Sequence, residues 1–125
     1  MDLSDGHHLL VGRNAAANHR LTFKKARGRD LWFHLRDGPG SHVVLPLEKG
    51  ENAAAELLLA GASLALHYSS LRGERAEVRY AYRRDLEAFR GHVGKVLMRR
   101  ENSLLVDPRQ ESTQKMLGSL GLNLR

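Results

Sequence analysis

The 125-residue sequence has no cysteine, three prolines, one tryptophan and no hydrophobic run long enough to cross a membrane. The absence of cysteine excludes disulfides and thiolate metal sites, and it is consistent with a reducing cytoplasm. The longest apolar run, around 53–66, contains Glu56 and is rich in alanine, so it predicts a buried helix. Asp2 and Asp5 follow Met1 without a basic or apolar segment, and no signal peptide is expected.

Length and charge limit the class of protein and of partner. The length is typical of one domain with a sizeable core. Twenty Lys and Arg against 14 Asp and Glu give a net charge of +6, which favours a polyanionic partner, nucleic acid before an anionic membrane surface. A basic surface without any binding role is the alternative that composition leaves open.

The segment 31–36 alternates strictly, which predicts a β-strand with two different faces. Three apolar residues point to one side: Leu31, Phe33 and Leu35. Three residues suited to bases and phosphates of RNA point to the other: Trp32, His34 and Arg36.

The return strand after the turn at 38–40 has a predictable orientation. A loop with an odd number of residues sets Arg36 opposite His42 and Leu35 opposite Val43, and burial of the apolar face favours it over an even loop. The pattern therefore gathers Trp32, His34, Arg36 and His42 on one surface. The competing interpretation is that Trp32 is core, with its indole N–H bonded to a backbone carbonyl.

Other local patterns complete the predicted fold. In chain order they are a strand at 9–11, a helix from Ala15 to about 23–26 capped by Asn14, a helix from Ala53 to about Leu71 capped by Asn52, a strand over Ala76–Tyr82, a helical turn over 85–89, and a hairpin of 95–99 with 103–106. This order predicts an α+β fold, with a mainly antiparallel sheet packed by one long Ala/Leu-rich helix and a shorter N-terminal helix. The predicted organisation is a flexible lead-in at 1–8, a domain at 9–108, and a tail at 109–125 whose weak helix has little to bury.

A run of basic residues precedes the strand at 31–36. Arg20, Lys24 and Arg27 share a face if the first helix continues far enough, and Lys25 and Arg29 add to the charge. Arg13 at the start of that helix suits a phosphate. Each has a structural alternative: the cations form a solvated face, Asn14 only caps the helix, and Asn18 only bonds a neighbouring loop.

Catalytic and metal chemistry find less support. His34 and His42 could act as acid and base in RNA cleavage, with Arg36 stabilising negative charge, but no distinctive nucleophile or carboxylate cluster accompanies them. A zinc site would need a third ligand such as His67 or His92, at unfavourable spacing. We therefore predict a non-enzymatic protein without metal or cofactor. An RNA-processing enzyme and a protein-docking module remain the alternatives.

Several blocks of the sequence together resemble one family. They are Gly12-Arg13-Asn14 with Asn18, Leu21 to Lys24, Asp30 to Asp37, Pro39 to Val43, Tyr68-Ser69, Val78 to Tyr80, Gly94 to Val96 and Leu105 to Pro108. Across about residues 9–108 they resemble the NFACT-R domain, the RNA-binding part of ribosome quality-control proteins. Two departures are Ala81, where the family usually has Thr, and a shorter loop at 91–94.

The resemblance implies binding of tRNA or of RNA in the large ribosomal subunit, during quality control of stalled translation in the cytoplasm. It adds Asn14, Asn18, Ser41 and Lys95 to the candidate RNA contacts. Full-length members carry an N-terminal domain and long coiled coils, so other domains or subunits are expected to supply these parts.

Overall fold

The computed structural model describes residues 1–92 and 95–122. Its elements, in chain order, are β1 (Leu10–Val11), α1 (Ala15–Arg20), a π-helical turn (Leu21–Lys25), β2 (Leu31–Leu35), β3 (Val43–Leu45), α2 (Ala55–His67), β4 (Ala76–Tyr82), a 3-10 turn (Arg83–Asp85), β5 (Leu86–Ala88), β6 (Val96–Met98), β7 (Asn102–Val106) and α3 (Glu111–Ser119). The predicted α+β class is confirmed. Among the described residues, no helix is long and apolar enough to span a membrane.

Five strands form one antiparallel sheet in the order β1-β3-β2-β4-β7, and β5 and β6 form a separate two-stranded sheet. Phe33 lies opposite Val43 in the β2–β3 pair. The loop therefore has an odd number of residues, as predicted, and Phe33 and Val43 share a face. The prediction set Leu35 opposite Val43, two residues away from the observed partner, because the connection is longer than the three residues 38–40.

Helix α2 covers the apolar face of the sheet, where Phe33, Leu35 and Val78 are completely buried. A Cβ at Gly61 would lie 2.2 Å from the Phe33 ring, so this glycine permits the close approach of helix and strand. The helix is shorter than predicted. It begins after Ala54, whose side chain makes no cap, so the predicted Asn52 cap is wrong.

A second apolar cluster covers the opposite face of the sheet. It contains Trp32 and Val44 from the sheet and Leu21 from the π-helical turn, with Leu86 from β5 and half-buried Met98 from β6. The sheet is therefore buried on both sides around Trp32 and Val44, whereas Leu105 of β7 is 56% exposed.

The predicted hairpin of 95–99 with 103–106 is wrong. Both segments are strands, but β6 pairs with β5 and β7 pairs with β4. The different cores explain the separation: Val96 and Met98 pack with the Trp32 cluster, whereas Val106 is buried in the α2 cluster. The helical turn predicted at 85–89 is instead the 3-10 turn followed by β5.

Both ends of the described chain contact this framework. The N-terminal amine donates to the Leu9 carbonyl at 2.7 Å, and the backbones of Asp2 and His8 form an antiparallel β-bridge. In α3, Leu117 is buried, and Leu120 just after it packs in the α2 cluster, so the predicted tail does bury apolar surface. The division into lead-in, domain and tail stays a prediction. Residues 93–94 of the predicted 91–94 loop, including the family-like Gly94, and 123–125 of the tail lie outside the described residues.

Candidate nucleic-acid interface

The aromatic residues predicted to share a face are in contact. The Trp32 ring stacks on His34 with centroids 5.8 Å apart, and its edge contact with His42 is 5.2 Å. The two imidazoles lie 5.4 Å apart. The alternation along β2 and the odd number of loop residues therefore predicted correctly that Trp32, His34 and His42 are neighbours.

This group is not an open surface. Trp32 is 1% exposed, because the π-helical turn and strands β5 and β6 pack against it. His42 is 2% exposed and lies beside Thr22 of the same turn. The expectation of an accessible aromatic plane is thus wrong, and the core interpretation of Trp32 is correct. Among residues 1–92 and 95–122, however, its indole N–H has no hydrogen-bond partner, so the predicted bond to a carbonyl is not found there.

His42 and Asn18 connect α1 to the sheet. The His42 backbone N–H donates to Asn18 Oδ1 at 3.0 Å, and His42 Nδ1 lies 2.7 Å from the Thr22 hydroxyl. Gly12 makes this fit possible, since a Cβ there would lie 2.2 Å from Asn18 Oδ1. Asn18 is buried, and its side chain acts inside the fold. The structural interpretation of Asn18 therefore has direct support.

His34 is the half-buried member of the cluster. It pairs across strands with Arg79, whose guanidinium lies 5.8 Å from the Trp32 ring centroid. Burial lowers the pKa of the His34 imidazole, and the positive charge of Arg79 lowers it further. His7 has the opposite environment: hydrogen bonds to Asp5 and Glu51 raise the pKa of its ring.

These shifts predict two separate pH windows. His34 should titrate below the ordinary value of about 6.5 and His7 above it. His34 is protonated at a higher pH in the unfolded chain than in the folded protein. The free energy of unfolding therefore falls as pH drops below about 6.5, and His34→Gln removes this contribution. The stabilisation from protonated His7 is complete below about 6.5 and is lost as pH rises through the raised pKa. NMR titration of the imidazoles checks both directions, and a His34 pKa at or above 6.5 contradicts the first.

Three further candidates occupy different positions. Exposed Arg36, just after β2, forms an ion pair with Glu77 of β4 at 2.5 Å, and its backbone N–H donates to the Glu77 carbonyl. Ser41 is 8% exposed, and its backbone N–H donates to the Tyr68 carbonyl. Lys95 is exposed beside β6, far along the chain from the other candidates. Of these three, only Arg36 and Lys95 have a charged side chain in solvent.

Helix α1 is short, and the chain continues from it into the π-helical turn. Asn14 accepts a hydrogen bond from the Ala17 N–H at 2.8 Å, which confirms it as the N-cap. The α-helix ends at Arg20, and the Ala26 N–H donates to the Leu21 carbonyl five residues earlier. The condition for a shared face of Arg20, Lys24 and Arg27 is therefore not met, since the turn changes the spacing and Arg27 lies beyond it.

Exposed cations nevertheless cluster along this segment. Arg20 and Lys25 line one hollow of about 210 Å³ beside β1, and Lys25 and Arg27 line a neighbouring cleft. Together with exposed Lys24 we call these residues the basic ridge: Arg20, Lys24, Lys25 and Arg27. Arg29 is half-buried, with its Nε–H donating to the Leu47 carbonyl, and is not part of it.

Arg13 contacts a residue that sequence reasoning did not select as a site. Its guanidinium lies 4.4 Å from the centroid of the Tyr68 ring and donates to the Tyr68 hydroxyl at 3.2 Å. Tyr68 follows α2, and 55 residues separate the pair along the chain. Only the family-like Tyr68-Ser69 block drew attention to this position, and no local pattern could have paired it with Arg13.

Comparison with known proteins gives a consistent assignment. The chain is 34% identical over 113 residues to the Rqc2 homolog RqcH of Streptococcus suis, covering 86% of this chain and 20% of that protein. It is 33% identical over 66 residues to the Rqc2 homolog RqcH of Bacillus subtilis, covering 53% and 11% respectively. This chain therefore spans about a fifth or less of the length of these relatives.

A solved structure shows the same fold. It is the C-terminal part of the fibronectin/fibrinogen-binding protein from Streptococcus suis, with a TM-score of 0.78 and 33% sequence identity. The alignment covers 91% of this chain and 46% of that one. Residues 1–99 match the family model described as the NFACT protein RNA binding domain. With the fold, the basic segment and these matches in agreement, the chain belongs to the NFACT RNA-binding domain family.

Proposed function

We propose that this domain binds tRNA or ribosomal RNA through the basic ridge, without catalysing a reaction, as part of ribosome-associated quality control of stalled translation. Such a role places it in the cytoplasm, with the other parts of an RqcH-like protein supplied elsewhere in the same chain or by partners. The family and the names of the relatives support this setting.

The observation that carries the proposal is the charge of residues 13–29. Six Lys and Arg lie in this interval without a single Asp or Glu, a local charge equal to the net +6 of the whole chain. Within residues 1–92 and 95–122, no ridge side chain forms an ion pair. Unpaired, exposed cations are free to neutralise phosphates and release counterions.

The surroundings of His34 and His42 support a non-catalytic role. His42 is buried with Nδ1 beside the Thr22 hydroxyl, and burial holds the pKa of His34 below its ordinary range. A general acid and base need access to the substrate within hydrogen-bond distance. Among the described residues there is also no group of three or more His, Asp or Glu side chains placed to hold a metal ion.

Removing charge from the ridge tests the proposal. The variant Arg20→Ala/Lys24→Ala/Lys25→Ala is expected to bind tRNA roughly tenfold or more weakly than wild type at low salt, because three phosphate contacts are lost. Binding is measured by fluorescence anisotropy. Lys115→Ala is the matched control, since exposed Lys115 lies on α3 in an ion pair with Glu111.

Equal losses from the ridge variant and from Lys115→Ala would contradict a localised site. Intact RNA is expected after incubation with wild type, and defined fragments that disappear in a His34→Ala variant would favour the enzyme alternative. Absence of any RNA binding at low salt, with retained binding of a protein partner, would favour the docking alternative.

A further inference from the structure

A shallow groove of about 540 Å³ lies at the end of α2, separate from the buried cluster around Trp32. We call it the tyrosine groove, and its lining residues include Arg13, Ser41, Tyr68, Ser70 and Arg72. The Arg13 guanidinium lies over the Tyr68 ring, so cation and aromatic ring already form a stacked pair.

Backbone pairing fixes the floor of the groove. Gly40 and Ser69 form an antiparallel bridge, and the Ser70 N–H donates to the Pro39 carbonyl at 2.9 Å. A Cβ at Gly40 would lie 3.0 Å from the Ser69 Cβ, so a side chain at this position would crowd the floor. The turn 38–40 therefore joins the end of α2 through backbone contacts.

The electrostatics of the groove favour an anionic ligand. Its lining includes two arginines and no acidic residue. Burial and the Arg72 guanidinium both lower the pKa of His67 at the inner edge. The larger cleft of about 650 Å³ is different, because its lining includes four acidic residues: Asp5, Asp30, Glu48 and Glu51.

The Tyr68 hydroxyl adds a directional contact. It accepts the hydrogen bond from Arg13, which leaves its own O–H to donate to a ligand. A nucleotide provides the matching features: a planar base that stacks on an aromatic or guanidinium face, and a phosphate that accepts from cations and hydroxyls. A paired base inside a duplex does not expose its face.

We propose that the tyrosine groove holds one unpaired nucleotide of the bound RNA, with the base against Arg13 and Tyr68 and the phosphate near Arg72. This inference rests on the proposed RNA binding and specifies the class of RNA: loops or single-stranded segments in preference to duplex alone. The basic ridge contacts phosphates of either class, and the groove distinguishes them.

Affinities for two matched single-stranded RNAs test this inference, one normal and one abasic with the same number of phosphates. Wild type should bind the normal strand about tenfold more tightly, the order of effect expected for one stacked base. Tyr68→Ala and Arg13→Ala should remove most of this preference. Arg20→Ala is the control: it should weaken binding of both strands equally.

The outcomes separate this inference from the proposed function. If wild type binds both strands equally, or if Arg13→Ala keeps the preference, the groove does not hold a base, whereas ridge-dependent binding still supports the proposed function. If wild type binds neither strand nor tRNA, both proposals fail. Because Tyr68 also packs against the core, Arg13→Ala at an exposed position keeps the test decisive if Tyr68→Ala unfolds.

Discussion

Phe33→Ala is expected to lower the free energy of unfolding by about 3–5 kcal/mol, since it removes a fully buried ring and leaves a cavity. The ring packs against Gly61 of α2 and stacks with Tyr80 of β4 at a centroid distance of 6.0 Å. Helix and sheet therefore lose their central contact. Chemical denaturation followed by circular dichroism measures the change.

Phe89→Ala is the matched control for this substitution. Phe89 is 40% exposed and follows β5 at the surface, so the same truncation should change stability little. If both variants were equally stable, Phe33 would not be at the centre of the helix–sheet core.

Trp32→Ala is expected to be similarly destabilising, by about 3–5 kcal/mol, although it lies on the opposite face of the sheet. The indole is covered by the π-helical turn and the β5–β6 hairpin, and its loss empties the centre of that cluster. Denaturation of Trp32→Ala measures this cost. Trp32→Phe should be less destabilised and should bind RNA as wild type does.

A stable Trp32→Ala variant that loses RNA binding would contradict this assignment. That result would mean that the β5–β6 hairpin opens in solution and that the indole contacts bases directly.

The strands with a clear alternation could be predicted from sequence. Segment 76–82 is a strand with the predicted bounds, and its Val78 is buried. Gly61, within the predicted helix, allows close approach of α2 to the sheet. These features depend on side-chain periodicity and size, which a local stretch of sequence contains.

Contacts between segments that are distant in the sequence could not be predicted in this way. The alternation of β2 separates its two faces, but it does not show that β5 and β6, more than 50 residues later, bury Trp32. The proximity of β6 and β7 along the chain suggested a hairpin, whereas pairing followed the two separate cores. Arg13 and Tyr68 likewise meet because segment 41–42 bonds to Gly12 on one side and to Tyr68 on the other.

RNA binding through the basic ridge is tested most directly by the slope of log K for tRNA binding against log salt, measured for wild type and for Arg20→Ala/Lys24→Ala/Lys25→Ala. Wild type is expected to show a steep negative slope that becomes shallower by about 0.7–0.9 for each ridge cation that contacts a phosphate. An unchanged slope in the triple variant would show that RNA phosphates are neutralised elsewhere on the domain, and would contradict binding through the basic ridge.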